Sequence, residues 1–591
     1  MSHQHQTSTP EGSSDALEGR YAGDNEALIR MRHSAAHMMA EAVLAMFPDA
    51  KLGIGPPIDD GFYYDFLLPR TLTPDDLPEI ESRMRESAAA AAPFIAEELP
   101  REEGLRRFSD QPFKVEIIES LADDTVSIFS HRGFTDLCQG PHAESTDRTG
   151  AFKLLRVAGA YWRGDERNPQ LQRIYGALFE TQEELDAHLQ RIAEAERRDH
   201  RRLGRELDLF FFDPIAPASP FFLPKGATVY NLMVDFIREL YDAYGYREII
   251  TPQIFLSDLW KRSGHYDNYL ESMYLTQSDD IEYGVKPMNC PGHCVVYLSQ
   301  LHSYRALPLR YADFGRLHRN ERSGVTHGLT RVRSFSQDDA HIFCRIDQIQ
   351  EEFSSLIRMM REVYAAFGLN EPRYTLSLRP DQRVGSDETW DRAEQALRDA
   401  LAGTDYEEIP NEGAFYGPKI DLFSRDALRR EWQLSTFQLD FNLPERFGLE
   451  YVTEDNRRER PVMIHRAILG SLERFLGVLL EHNAGAFPLW LAPVQAVIIP
   501  IADRHVPYAR RVETRLRASG LRCEIDDRNE RMNAKIRDAQ GQRVPYMLVV
   551  GDREEAADAV AVRRRENSEN LGPMPTDDFI TRAQEEIAQR G

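Results

Sequence analysis

Apolar positions recur with different periods along the chain, and the changes of period mark its elements. Leu232, Phe236, Ile237 and Leu240 form a helical stripe between Thr228 and Tyr244, and Gly245 ends it. The run Arg247-Glu-Ile-Ile-Thr-Pro252 follows as a strand, with Pro252 at its edge or end because proline cannot donate to a ladder. Upstream, Thr181 and Glu184 have capping-box spacing, and Leu185, Leu189 and Ile192 continue as a helix. A further helix is expected from about Ala467 to Asn483. Beyond Pro493, strands at Ala496–Ile501, Arg522–Ile525, Tyr546–Val550 and Val560–Arg563 alternate with helices, the first at Tyr508–Ala518. That alternation predicts a small α/β domain. The periods divide the chain into residues 1–27, a polar tail expected to be disordered; 28–178, mixed helix and strand; 179–204, a helical linker; 205–490; and 491–591.

Length changes little in this picture, since 591 residues imply roughly four domains. No run of about 18 apolar residues is present, so no membrane-spanning helix is expected. The polar amino terminus has no cationic start with an apolar core, so it is not read as a secretion signal. Cys138, Cys290, Cys294, Cys344 and Cys523 are scattered, which fits a reducing, cytoplasmic compartment. The net charge of -24 argues against bulk attraction to nucleic acid, although a local basic patch can act within an acidic whole. Two basic runs, Arg197 to Arg202 and Arg563 to Arg565, are open to both readings: such a patch, or a solvated helix face or strand end.

The densest chemistry lies in Arg331-Val-Arg-Ser-Phe-Ser-Gln-Asp-Asp-Ala-His341. Read as one strand, it places Arg331, Arg333, Phe335, Gln337, Asp339 and His341 on one face. A merely solvated face seldom combines two cations, an aromatic ring, an amide, a carboxylate and an imidazole. Nearby in sequence order lie Met288-Asn-Cys290-Pro-Gly-His293, Arg319-Asn-Glu321, Phe415-Tyr416-Gly-Pro-Lys419, and Val462-Met-Ile-His465 running on to Gly470-Ser-Leu-Glu-Arg474. In the first block, His33 and His37 share a helix face at i, i+4, and Cys138-Gln-Gly-Pro-His142 repeats the spacing.

In their order and spacing these segments resemble the three signature motifs of class II aminoacyl-tRNA synthetases, in the form used by the threonyl-tRNA synthetases. Pro252 resembles the motif 1 proline, Arg319 to Glu321 motif 2, and Gly470 to Arg474 motif 3; the likeness covers residues 28 to 591. The resemblance implies an α+β multidomain protein. Its class II antiparallel-sheet catalytic core would be residues 205–490, with an α+β editing domain before it and a C-terminal α/β anticodon-binding domain at 491–591. It implies a homodimeric threonine–tRNA ligase that activates L-threonine with ATP and magnesium, charges threonine tRNA and hydrolyses mischarged seryl-tRNA.

The resemblance also distributes roles. One zinc ion per chain is expected on Cys290, His341 and His465, an open three-ligand set, whereas Cys294 and His293 are set aside. The hydroxyl and amino group of threonine would complete the coordination, and valine, without the hydroxyl, would be rejected by about 10⁴–10⁵. Asp339 would accept the hydroxyl, with Met288, Gln337, Tyr416 and Lys419 around the amino acid. Arg319 would contact the α-phosphate and carboxylate, Arg331 and Arg474 the distal phosphates, Phe335 and Glu321 the adenine. Gln433, Thr436 and Gln438 would line the same pocket; Gln433 is out of strand phase with the other two, so a bend or bulge is needed if all three point inward. His465 is expected to precede the helix that carries Arg474.

For editing, the resemblance points to His33, His37, Cys138 and His142, with Asp136 and Lys114 beside them; for the anticodon, to Asn529, Arg537, Glu554 and Arg563. The stretch before His33 is too short for the ubiquitin-like domain that begins most bacterial threonyl enzymes, so its absence is expected.

Overall fold

The computed structural model describes residues 26–565 and 569–590, so residues 1–25 of the expected tail lie outside it. Glu26 and Ala27, assigned to that tail, instead open a helix, Glu26–Met46. The chain forms two compact units, one up to Ala193 and one from Glu194.

In the first unit the helix Glu26–Met46 is rich in alanine, methionine and arginine, good helix formers. It ends just short of the Phe47-Pro48 pair, where helical backbone is disfavoured. Its small buried residues Ala35, Ala36, Ala40 and Ala42 let it lie close to Phe62, Tyr64, Phe66 and Ile174. Those aromatic residues belong to an antiparallel sheet whose order is Lys51–Leu52, Gly61–Leu67, Gln170–Phe179, Ala151–Tyr161. A three-stranded sheet of Ile95–Pro100, Thr125–His131 and Phe134–Leu137 completes the layer that carries Asp136 and leads into Cys138.

The helix after Thr181 has the capping box read from the sequence: Glu184 N donates to Thr181 Oγ1, and Thr181 N to Glu184 Oε2, both at 3.2 Å. The linker is two helices rather than one, Gln182–Arg198 and His200–Glu206. Asp199 breaks the run by accepting the Arg201 amide at 2.8 Å, as an N-cap.

The second unit is built on an eight-stranded sheet in the order Arg247–Glu248, Leu309–Asp313, Asp339–Cys344, Val462–Ala467, Glu431–Asp440, Lys419–Arg425, Arg373–Ser377, Tyr406–Ile409. Its six inner strands are antiparallel and only the two edge pairs are parallel. Period-two alternation sorts the side chains. Ala340, Ile342 and Cys344, Ile464, Phe437 and Leu439, Ile420 and Leu422 share one core with the helices Pro224–Tyr244, Ile349–Ala366, Asp387–Ala400 and Leu472–His482. The intervening residues Asp339, His341, His465, Gln438, Asp440, Lys419 and Asp421 therefore take the opposite face, and that face is the candidate site.

Three sequence expectations change here. The run Arg331–His341 is not one strand: Ser334–Ser336 pairs with Arg316–His318, and a separate strand, Asp339–Cys344, joins the large sheet. Asp338 forces the switch, because its buried carboxylate accepts from Arg466 Nη1 at 3.0 Å and from the amides of Ile468 and Leu469 at 2.9 and 3.0 Å. Burial raises the Asp338 pKa to about 6 even against the neighbouring guanidinium, and breaking such a buried pair from one side costs about 3–5 kcal/mol. The strand at residue 247 is only Arg247–Glu248 and stops short of Pro252. The closing helix starts at Leu472 instead of Ala467, because Val462–Ala467 is a strand, Gly470 takes a left-handed conformation, and Ser471 caps the amide of Arg474.

The C-terminal part of the same unit has a five-stranded sheet, ordered Cys523–Ile525, Ala496–Pro500, Tyr546–Val550, Ala559–Arg564, Asn570–Pro575. The last strand was not foreseen; its glycine and two prolines, Gly572, Pro573 and Pro575, hide it at a sheet edge, where proline is tolerated.

Candidate active site and metal centre

Three side chains from distant segments converge on the open face of the large sheet. His341 and His465 are register partners on adjacent strands, with His341 Nε2 at 3.0 Å from His465 Nδ1. Cys290, at the start of the helix Cys290–Leu298, brings its thiol within 4.8 Å of both rings. All three are buried. Burial, reinforced by Asp339, Cys294 and Asp440, pushes the Cys290 thiol well above its ordinary pKa. A thiol and two imidazoles with carboxylates close behind them form a donor set that fits a borderline-soft divalent ion. Tyr416 lies tilted against His465, with ring centroids 5.0 Å apart, and donates to Gln438 at 2.5 Å. Asp339 is buried beside the cluster, accepting from Asn289 Nδ2 at 3.0 Å. Met288 lies 3.2 Å from His265 Nε2, and His265 is 3.9 Å from the Cys290 sulfur. His265 is a residue the sequence reading missed; alone between Gly264 and Tyr266 it carries no pattern.

Next to this cluster the face turns cationic. Arg319 leaves the strand Arg316–His318 with its guanidinium 5.0 Å from the Phe335 ring. Glu321 pairs with Arg331 at 2.9 Å and its carbonyl accepts from Arg333. Arg474, on the first turn of Leu472–His482, has a buried Nε with no hydrogen-bond partner. Desolvation and then the Arg331 charge lower its pKa. A half-buried guanidinium facing a second cation is a site for an anion. Gln433 donates to Asp421 at 2.6 Å, Thr436 pairs with Asp421 in register, and Lys419 is bonded to the same carboxylate. Leu422 pairs with Ser435 and Phe423 with Gln433, so Leu434 is bulged out. That bulge lets Gln433 and Thr436 reach one face. Gln337 makes an isolated bridge to Ser471, between the strand break and the capped helix.

A second constellation is complete within the first unit. Cys138 Sγ is 3.2 Å from His33 Nε2 and 3.2 Å from His142 Nε2, and His37 completes the group within 4.8 Å. Ser34 Oγ orients His142 through Nδ1 at 3.1 Å. Behind His37, whose Nε2 is 3.7 Å from Asp136, a buried triad joins Lys114 to Asp136 at 2.7 Å and Tyr64 to both. Burial lowers His33 to about 4 and His142 to about 2, and raises Cys138 to about 12. At neutral pH the group is therefore uncharged, with lone pairs able to hold and orient a water. Ser34 and Tyr64 were missed by the sequence reading: Tyr64 alternates with Phe62 and Phe66 as an ordinary core aromatic.

The four anticodon candidates share no bond with one another among the described residues. Asn529 is exposed on a loop, Arg537 exposed on the helix Met532–Gly541, and Glu554 accepts the Gly551 amide at 3.0 Å. Arg563 pairs in register with Met547, on the side of the sheet that packs the helix Met532–Gly541. Its neighbours Arg564 and Arg565 are bound to Glu586 and to the carbonyls of Phe487 and Arg543. The other basic run is likewise paired internally, to Glu194, Asp199 and Glu206.

Comparison with known proteins matches three segments of the chain to known families. Residues 274–483 match the family of the tRNA synthetase class II core domain (G, H, P, S and T), and residues 495–586 the anticodon binding domain. Residues 126–175 match the threonyl and alanyl tRNA synthetase second additional domain. The threonine–tRNA ligase of Burkholderia mallei is 52% identical over 569 residues, 95% of this chain and 89% of that relative. That of Rubrobacter xylanophilus is 51% identical over 582 residues, covering 97% and 91%. Among solved structures, the RNA binding domain of threonyl-tRNA synthetase from Cryptosporidium parvum aligns with a TM-score of 0.64 and 47% identity, over 66% of this chain and 98% of that one. A putative threonyl-tRNA synthetase from Aeropyrum pernix aligns at 0.60 and 30%, over 66% and 96%.

Proposed function

Since this chain belongs to the threonyl-tRNA synthetase family, we infer that it joins threonine to threonine tRNA at the expense of ATP and hydrolyses the mischarged seryl product. The activity is that of a threonine–tRNA ligase with an editing domain. The observation that carries the residue-level reading is the buried Cys290, His341 and His465 cluster with Asp339 and Tyr416 against it. Those three side chains would hold zinc, one ion per chain. When bound, zinc supplies Lewis-acid positions that an amino group and a hydroxyl can both occupy. Asp339 accepts the threonine hydroxyl, Tyr416 and Gln337 close over the amino acid, and Met288 and Lys419 complete the pocket.

ATP, accompanied by magnesium, lies along the cationic stretch. Arg319 steadies the α-phosphate and the attacking carboxylate, while Phe335 and Glu321 hold the adenine. Arg331 and Arg474 take the distal phosphates, and the unpartnered Nε of Arg474 is the donor already waiting for them. Gln433, Thr436 and Gln438 line the pocket between nucleotide and amino acid. The carboxylate attacks the α-phosphorus, pyrophosphate leaves, and fixed cations stabilise the charge that develops. ATP–pyrophosphate exchange with threonine, serine and valine tests the reading. Serine is expected at a measurable rate, and valine about 10⁴–10⁵ below threonine; valine supporting exchange like serine overturns it.

The chain is proposed to act as a homodimer through its motif 1 segment. Ile250 is 90% exposed next to Thr251-Pro252, with Ile254 and Leu256 exposed beyond, a patch too apolar to leave in water. Light scattering is expected to show a two-fold dimer, and a stable, active monomer contradicts it.

Asn529, Arg537, Glu554 and Arg563 are proposed to read the anticodon, whose unstacked bases expose their edges. Arg563→Ala is expected to raise the KM for tRNA roughly tenfold, the cost of about one base contact, and to leave ATP–pyrophosphate exchange intact. Equal loss of both activities sinks the assignment. The tRNA substrate and five free cysteines fit a cytoplasmic location. No helix among the described residues is long and apolar enough to cross a membrane.

A further inference from the structure

Each metal-facing imidazole is gripped from behind by a group outside the ligand set. His465 Nε2 lies 2.9 Å from Asp440 Oδ2, and Asp440 is fully buried. His341 Nδ1 lies 2.9 Å from Nδ1 of His293, whose ring stands nearly perpendicular to it, with centroids 4.5 Å apart. His293 is fully buried one turn after Cys290, and its Nε2 makes no hydrogen bond. The carboxylate facing that nitrogen is Asp313, 3.9 Å away. Asp313 is itself fixed by Thr251 Oγ1 at 2.7 Å and by the Gly315 amide at 2.7 Å, with Lys286 Nζ at 3.4 Å.

We propose that His293 and Asp440 are positioning residues for the metal, each fixing the tautomer of one ligand ring, His293 that of His341 and Asp440 that of His465. The proposal rests on the zinc reading above. It follows from assigning protons along the chain of rings. His465 Nε2 faces a carboxylate, so it carries the hydrogen and Nδ1 is bare. With no cation between the rings, the 3.0 Å contact to His341 Nε2 needs a hydrogen, which must then sit on His341. His341 Nδ1 is then bare, His293 Nδ1 must donate, and His293 Nε2 turns a lone pair on the Asp313 carboxylate in a dry interior. With a cation between the rings every hydrogen reverses. His341 Nε2 and His465 Nδ1 both offer lone pairs inward, His341 Nδ1 donates to His293 Nδ1, and His293 Nε2–H points at Asp313. The relay then ends on a carboxylate at both sides. Only the metal-bound assignment turns an N–H rather than a lone pair toward the Asp313 carboxylate, so His293 and Asp440 hold both ligand rings ready for the ion.

Zinc release from the holoenzyme into excess colorimetric chelator tests this. His293→Phe and Asp440→Leu each remove an acceptor and are expected to speed release about 10–100-fold. Asp440→Asn keeps an acceptor oxygen and is expected to release zinc more slowly than Asp440→Leu. The KM for threonine should rise in the Phe and Leu variants while the KM for ATP stays put. The visible bands of the cobalt-substituted protein should shift in both. If His293→Phe does not fold, His293→Asn, too short to reach the His341 ring, replaces it with the same expectation. Release at the parental rate from both acceptor-free variants overturns the proposal. Acceleration in one alone overturns the half that stays at the parental rate. A parental protein without zinc overturns the reading beneath it instead.

Discussion

Replacing Cys290 with serine is expected to leave the purified chain without zinc and to cut threonine-dependent ATP–pyrophosphate exchange by more than about 100-fold, the upper end for loss of a mere outer-sphere partner. The argument is one of donors. The buried cluster has one soft ligand and two imidazoles and no carboxylate that could take the place of the sulfur, since Asp440 is engaged by His465 and Asp339 by Asn289. A serine hydroxyl stays protonated there and binds a borderline-soft ion poorly. Cys294→Ser is the matched control. Its sulfur is equally buried one turn along the same helix but touches Met463 Sδ at 3.8 Å, away from the cluster, so zinc content should be retained. Metal analysis beside the exchange assay settles the matter. A Cys290→Ser protein that is zinc-free and fully active would falsify the metal assignment.

How much of this was legible beforehand depends on the distance over which each feature is decided. An irregularity between Gln433 and Thr436 could be read once the resemblance put both in one pocket, because the two cannot share a face of a regular strand; the structure makes it a bulge at Leu434. The helix face joining His33 to His37 and the capping box at Thr181 are likewise decided within four residues. The strand break at Gln337-Asp338 was not legible. It depends on Asp338 meeting Arg466 and the amides of Ile468 and Leu469, about 130 residues later, and the local pattern alternates smoothly across it. His293 was set aside because it stands three residues from a ligand in sequence. Only the packing shows it behind His341, outside the proposed ligand set. The basic run at Arg197 to Arg202 was ambiguous because its acidic partners lie within and on both sides of it; in the fold it pairs with Glu194, Asp199 and Glu206. Tyr64 reads as a core aromatic and becomes a site residue only because its hydroxyl ends on Asp136 and Lys114.

Changing His33 and His37 together to alanine is expected to leave threonine charging normal while seryl-tRNA accumulates, with deacylation slowed about 10²–10⁴-fold, the usual worth of positioned acid–base groups. The need for such a site is energetic. Serine keeps the amino group and hydroxyl of threonine and lacks one methyl, worth roughly 1–3 kcal/mol or 10–200-fold, too little for faithful translation. A second pocket that has no room for that methyl then spares the correct product. The chemistry there is set by burial. His33, held near 4, stays neutral well below the 6.5 of a free imidazole. Deacylation should therefore keep its rate between about pH 8 and 6, where an unperturbed histidine would lose half its lone pairs near 6.5. The sign is fixed by the direction of the shift: protonation, and with it loss of activity, arrives only as the pH falls toward the lowered value. Seryl-tRNA hydrolysis by the parent and the double variant, measured across that range, reads out both expectations. A double variant that clears seryl-tRNA at the parental rate would remove this cluster from editing. A parental rate that halves near pH 6.5 would mean that the working base is not His33.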